Sequence, residues 1–250
     1  MRLANEKTTE LNVTHEIMAA IGVGAIGFTQ QMEAQIGADV FFPCGAPFIV
    51  QYKATKRGRD GVEAAFKINN NSNRTQHRAL DAISRSGLCE AVYAFPLTVT
   101  DRHFVMNQGW LLRLTIFVDA HSITDSAPSR GQRWFNSTHV VTVDQGGHFQ
   151  VTSSEIGSGK GLVGDVFIRR LKKRMDQPRI EEDELTAKSV HDLIKKMEQV
   201  VRKAEVKGRT EHTMYYLSQN RRTGQHAFIA FPILLRGLVA EASRDRHEDR

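Results

Sequence analysis

Residues 33–53 read EAQIGADVFFPCGAPFIVQYK, and the fold turns on how this stretch is read. ADVFF and PFIVQYK are β-branched and aromatic runs, which favour strands. Pro43, Cys44, Gly45 and Ala46 between them punctuate a hairpin. The spacing therefore predicts two paired strands entered from a short helix, FTQQMEAQIG, with Thr29 as its cap and Gly37 as its stop.

A strand sends residues i and i+2 to one face, so Gln51 and Lys53 point together and Tyr52 points away. If the two runs pair antiparallel, Asp39 at the start of the first lies opposite the end of the second. Glu33, on the preceding helix, overhangs the same end. Hard oxygen donors beside an ammonium suit magnesium-assisted phosphodiester hydrolysis: the oxygens hold Mg²⁺, and the lysine holds water or steadies the developing phosphate charge. Taken one at a time, Asp39 suits a turn, Glu33 a solvated helix position and Lys53 a charged strand edge. Their order and placement together favour a metal site.

Working outward, TTELNVTHEIMAAIG predicts a first helix ending at Gly22. After Lys53 come a basic loop, KATKRGRDG, and a strand, AAFKIN. A helix over residues 73–86 and a strand over 90–95 follow. LLRLTIFVDA and THVVTVDQGGHFQVTS add further strands, the latter turning at Gly146 and Gly147. From about residue 160 the pattern is helical: GLVGDVFIRRLKKRM, then a segment over residues 181–208 with acids first and bases last, as a helix dipole favours, then AFIAFPILLRGLVAEAS and a frayed tail, SRDRHEDR. The expected class is α/β (α+β), a mixed sheet flanked by helices. A core over residues 1–155 is followed by a helical C-terminal portion, 156–250, packed on it as one unit.

The order of these residues and elements resembles the PD-(D/E)XK, or restriction-endonuclease-like, nuclease superfamily. Its core is a helix, a hairpin bearing an Asp and then an (Asp/Glu/Gln)-x-Lys, a further strand, a helix and another strand. The match runs through about the first hundred residues. It is closest to nuclease domains of bacterial defence effectors, whose TQ..E…G.D…QxK pattern appears here as TQQMEAQIGADVFFPCGAPFIVQYK. The resemblance implies Mg²⁺ (or Mn²⁺) held by Asp39, Glu33 and the Gln51 amide oxygen, and Lys53 as the partner in catalysis. Glu10 or Glu16 of the first helix would be a further acid. Gln51 stands where the superfamily more often has a carboxylate, so one negative charge is missing. The implied activity is endonucleolytic cutting of nucleic acid, double-stranded DNA before RNA, in defence against phage or foreign DNA, with a homo-oligomer or a defence-system protein as partner.

Two other classes compete. A non-catalytic nucleic-acid-binding or assembly module would keep the fold with a weakened metal site. A dinucleotide-binding enzyme is suggested by GVGAIG, residues 22–27, which fits G-x-G-x-x-G. That turn needs a strand before it, whereas the preceding acid-rich, Thr-capped segment favours a helix. SSEIGSGKG departs from a phosphate loop at Ser154 and Gly161 and reads as a mobile Gly-rich loop.

The chain of 250 residues has a formal charge of +6, which suits an anionic partner. Lys56, Arg57 and Arg59 directly follow the proposed site and suit phosphate contacts. The run Arg169–Arg174 suits phosphate contacts or a solvated helix face equally. Gln76 and His77 lie on the helix that should flank the hairpin, and His77 is a candidate for contacting nucleic acid or ordering water. The ten histidines show no zinc spacing. Cys44 and Cys89 suit buried reduced thiols. No apolar run reaches the roughly 20 residues of a membrane helix, and MRLANEKTTE lacks a signal peptide's apolar segment, so a cytoplasmic protein is expected.

Overall fold

A computed structural model describes residues 5–68, 76–126, 138–152, 156–176 and 190–205, all within one compact unit spanning residues 1–205. The helix expected over AFIAFPILLRGLVAEAS, and the tail after it, lie outside the described residues.

The fold is mixed α/β, with one six-stranded mixed sheet and one five-stranded antiparallel sheet. Helix α1 (Glu6–Ile21) opens at Asn5, whose side chain accepts the Lys7 N–H, and closes at left-handed Gly22. Residues 22–27, the glycine-rich stretch, thus follow a helix. They lead into β1 (Ile26–Gly27), which lacks the setting a dinucleotide turn requires. Helix α2 (Gln30–Ile36) is capped by Thr29 and stopped by Gly37, and the hairpin β2 (Val40–Phe42) and β3 (Phe48–Tyr52) follows it.

The segment KATKRGRDG departs from the loop expectation. Thr55–Arg59 forms β4, antiparallel to β5 (Glu63–Ile68). Its four charged or glycine positions after Thr55 are exposed, because β4 is the outer strand of its sheet and needs only backbone pairing on one side. Helix α3 (Gln76–Ser86) then crosses to β6 (Glu90–Pro96), which pairs parallel with β3. Helix α4 (Asp101–Met106), a 3₁₀ turn over Leu111–Leu114, β7 (Thr115–Asp119) and α5 (Ala120–Asp125) follow. The first sheet runs β1-β2-β3-β6-β7 and ends at a strand after residue 160.

Strands β8 (His139–Asp144) and β9 (His148–Thr152) make the expected hairpin, with Gly147 at φ 80° in its turn. SSEIGSGKG is a second departure, since Ile156–Lys160 is β10, paired along its length with β9. Its glycines serve close packing: a side chain at Gly157 would strike Ser126, and one at Gly159 would strike the Phe149 ring. Strand β11 (Leu162–Val163) then closes the first sheet against β7. Strand pairing therefore continues past the boundary expected at 155, and the portion from 156 opens with two strands before helix α6 (Gly164–Met175). A further helix occupies residues 190–205.

The faces of the first sheet carry different partners. On one, α1 and α6 bury Val13, Ile17, Phe167 and Leu171 against Val40, Phe48, Val50 and Tyr52. On the other, α3 buries Leu80 and Ile83 with Phe41, Ile49 and Tyr93, joined by Phe66, Val141 and Val151 of the second sheet. Among the described residues no helix is long and apolar enough to cross a membrane.

Candidate functional site

The hairpin register places Val40 opposite Val50, so Asp39 meets Gln51. The Asp39 backbone is fixed on both sides: its N–H donates to Val50 O at 2.9 Å, and its carbonyl accepts from Phe28 N–H at 2.9 Å. Its carboxylate takes two bonds on one oxygen, from Tyr52 N–H at 2.7 Å and Gln51 Nε2 at 2.8 Å, both on Oδ2. As the alternation required, Gln51 and Lys53 share the α3 face, whereas the Tyr52 hydroxyl reaches Thr14 of α1 at 2.9 Å.

Helix α3 completes the arrangement through a residue outside the motif. The Lys53 ammonium donates to Gln76 Oε1 at 2.8 Å, and Gln76 Nε2 donates to Gln51 Oε1 at 2.6 Å. Lys53 and Asp39 are therefore joined through two amides. Lys53 Nζ also stands over the Tyr93 ring, 5.9 Å from its centre. Gly37 lets α3 come this close: its φ is +82°, and a Cβ there would lie 2.7 Å from the Gln76 carbonyl oxygen. Any side chain at 37 would push the start of α3 off the hairpin.

Asp39 is only 8 % exposed. Burial pushes its carboxyl up to about 7; the Tyr52 N–H and the Lys53 charge pull it down, and Glu10 and Glu6 of α1 push it further up. The carboxylates acting on Asp39 thus come from α1. Glu10 is buried, and the Lys7 ammonium bonds both its oxygens at 2.7 and 2.9 Å. That bond raises Lys7 against the opposing effect of burial, and the charges of Glu10, Glu33 and Asp39 raise it further. Glu6 Oε2 accepts the Ala54 N–H at 2.9 Å, which ties the first turn of α1 to the residue after Lys53.

Comparison of the chain with protein-family models, with curated proteins and with solved structures finds no match.

The structure brings together Asp39, Gln51 and Lys53 and corrects other expectations. Gln51 turns its NH₂ group toward Asp39 and the Tyr52 carbonyl, and spends its oxygen on Gln76, so it supports Asp39 as a donor and does not stand beside it as an oxygen ligand. The ends of the chain fix this orientation: Lys53 can only donate and ionised Asp39 can only accept. Glu33 lies on α2 within electrostatic reach of Lys7, but none of its contacts among the described residues joins it to Asp39, Gln51 or Lys53. Glu16 is committed elsewhere, accepting the Leu111 and Leu112 N–H groups.

His77 is corrected outright. It is fully buried, bonded to the Tyr93 hydroxyl and Thr124 Oγ1, both at 3.0 Å, and closed off from any ligand outside. Burial lowers it to about 3. One position along a helix turns a side chain by about 100°, so Gln76 reaches the site while His77 faces the core. Gln76 was legible only as the neighbour of His77.

Lys56, Arg57 and Arg59 are exposed on β4, which begins two residues after Lys53. In the Arg169–Arg174 run, Arg170 and Arg174 pair with buried Glu90, so two of its five basic residues help hold the fold together. Among the described residues, no group of three or more His, Cys, Asp or Glu side chains is gathered as a metal cage.

Proposed function

We propose that the chain is a divalent-cation-dependent nuclease acting on double-stranded DNA. The observation that carries this reading is Asp39: a buried carboxyl raised to about 7, fixed at the end of a hairpin and joined through two amides to Lys53. A carboxylate taken from water without a full counter-charge is a site that gains from a cation. The donor set fits Mg²⁺, which binds through one or two carboxylates and keeps its other positions for water and substrate phosphate. Asp39 would hold it, and Glu10, whose charge acts on Asp39, would be the second carboxylate if Lys7 released its oxygens. Such an ion supplies charge for the phosphate oxygens and lowers the pKa of bound water.

The chain's own residues then do the following. Lys53 orients the attacking water beside the phosphate. As the water oxygen bonds to phosphorus and gives up a proton to solvent, the P–O bond to the leaving sugar oxygen breaks, and that oxygen keeps the electron pair and takes a proton from solvent. The Lys53 charge offsets the negative charge built up on the phosphate oxygens. Lys56, Arg57 and Arg59 hold the adjoining backbone. A defence role, and assembly with itself or a partner protein, are what the superfamily resemblance would imply.

A second reading is favoured by the Gln51 oxygen, which accepts from Gln76 and is not offered to a cation beside Asp39: a nucleic-acid-binding module without cutting. Incubating supercoiled plasmid with the protein in Mg²⁺, Mn²⁺ or chelator, beside Asp39→Ala and Lys53→Met, separates the two. Cation-dependent nicking lost in both variants supports the nuclease. Salt-sensitive binding without nicking selects the module, and nicking retained by both variants removes the site.

A further inference from the structure

The two amides between Lys53 and Asp39 have a direction. Lys53 donates to Gln76 Oε1, Gln76 Nε2 donates to Gln51 Oε1, and Gln51 Nε2 donates to Asp39 Oδ2, at 2.8, 2.6 and 2.8 Å. Reversing either amide would set two donors or two acceptors face to face. The Gln51 NH₂ group is also held by the Tyr52 carbonyl at 2.9 Å, which resists reversal independently of Asp39.

We infer that Gln76 is a positioning residue of this site: its carbonyl oxygen fixes the Lys53 ammonium, and its NH₂ group, acting through Gln51, keeps that ammonium from collapsing onto Asp39 as a direct ion pair. An ion pair would neutralise the carboxylate wanted for a cation and occupy the ammonium wanted for phosphate or water. The amides hold the opposite charges apart without leaving either unsatisfied. They act as polar spacers, and Gln76 is the one supplied from a different element. Its placement depends on Gly37, whose bare backbone admits the first turn of α3 against the hairpin. The effect on reaction rate rests on the nuclease reading; the holding of Lys53 does not.

The test uses the full chain with Gln76→Met, which keeps side-chain length and removes both polar atoms, and Gln76→Glu, which keeps an acceptor for Lys53. Plasmid cleavage at saturating Mg²⁺, Mg²⁺ affinity by calorimetry and the thermal unfolding midpoint are measured together. Gln76→Met is expected to lower kcat at least tenfold and to weaken Mg²⁺ binding at least threefold, because Lys53 then pairs with Asp39, while the unfolding midpoint is kept; Gln76→Glu, which still holds Lys53 but sets a carboxylate against Gln51 Oε1, recovers only part of the rate. A separate arm needs no activity: the rate of Lys53 acylation by an amine-reactive ester, read by mass spectrometry, should fall severalfold in Gln76→Met, because a direct pair with Asp39 favours the protonated amine, and should recover in Gln76→Met combined with Asp39→Asn, which leaves no carboxylate there to pair with. Unchanged or faster acylation in Gln76→Met overturns the inference, as does a loss of kcat accompanied by a matching loss of stability. If the wild-type chain cuts nothing but the acylation pattern holds, the nuclease reading fails and the positioning role stands.

Discussion

Asp39 Oδ2 accepts the Tyr52 N–H at 2.7 Å, fastening the residue before β2 to the last residue of β3. This bond, with that from Gln51, is what the buried carboxylate has in place of water. It does not make up the whole loss, since burial still pushes the group up to about 7.

Stability should therefore depend on pH through Asp39. With a folded value of about 7 against an ordinary 3.8, the folded chain holds the proton more tightly, so this group's contribution is fully present below about pH 4 and is lost as pH rises through 7. Each unit of upward shift is worth about 1.4 kcal/mol, so ionised Asp39 costs on the order of a few kcal/mol. Asp39→Asn should match the wild type near pH 3.5 and unfold at a higher temperature above pH 7.5. Equal midpoints at both pH values would contradict this environment for Asp39.

Gln51→Glu replaces the donor facing Asp39 with a second acceptor. Without cation, two carboxylates and the Tyr52 carbonyl would crowd one another, and the unfolding midpoint should fall. With Mg²⁺ the added charge should tighten binding by about tenfold. Calorimetry with and without Mg²⁺ checks both signs.

His77 should act only through the core. Its depressed value means that its contribution is present above about pH 6.5 and fades as pH falls toward 3. His77→Ala removes two buried hydrogen bonds and the ring stacking on Tyr93, and should destabilise by about 3 kcal/mol. DNA affinity of the folded fraction should stay unchanged in a filter-binding titration.

Replacing Lys56, Arg57 and Arg59 with Gln should lower DNA affinity and flatten its salt dependence, with the logarithmic slope falling by about one for each phosphate that is no longer neutralised. Arg174→Ala should behave differently. It strips one of two partners from buried Glu90, so we expect a stability loss of about 2 kcal/mol. A salt titration beside a chemical denaturation curve tells these two kinds of basic residue apart.

Local chemistry alone specified much of this protein. Thr29 and Gly37 bound α2, Gly22 ends α1, Gly146 and Gly147 turn β8 into β9, and strand alternation puts Gln51 and Lys53 on one face. Each is a rule acting over a few neighbouring residues. Tertiary structure decided the rest. KATKRGR reads as a loop until β5 offers its backbone as a partner, and IGSGK reads as a loop until Phe149 and Ser126 need space that only glycine leaves. Glu33 stands near Asp39 in sequence, yet Glu10 and Glu6 are the acids that act on it, because α1 packs across the end of the hairpin. His77 and Gln76 are adjacent in sequence, and only the packing of α3 sends one to the core and the other to Lys53. Charge and hydrogen-bond partners are set by distance in space, and a string of residues does not carry that distance.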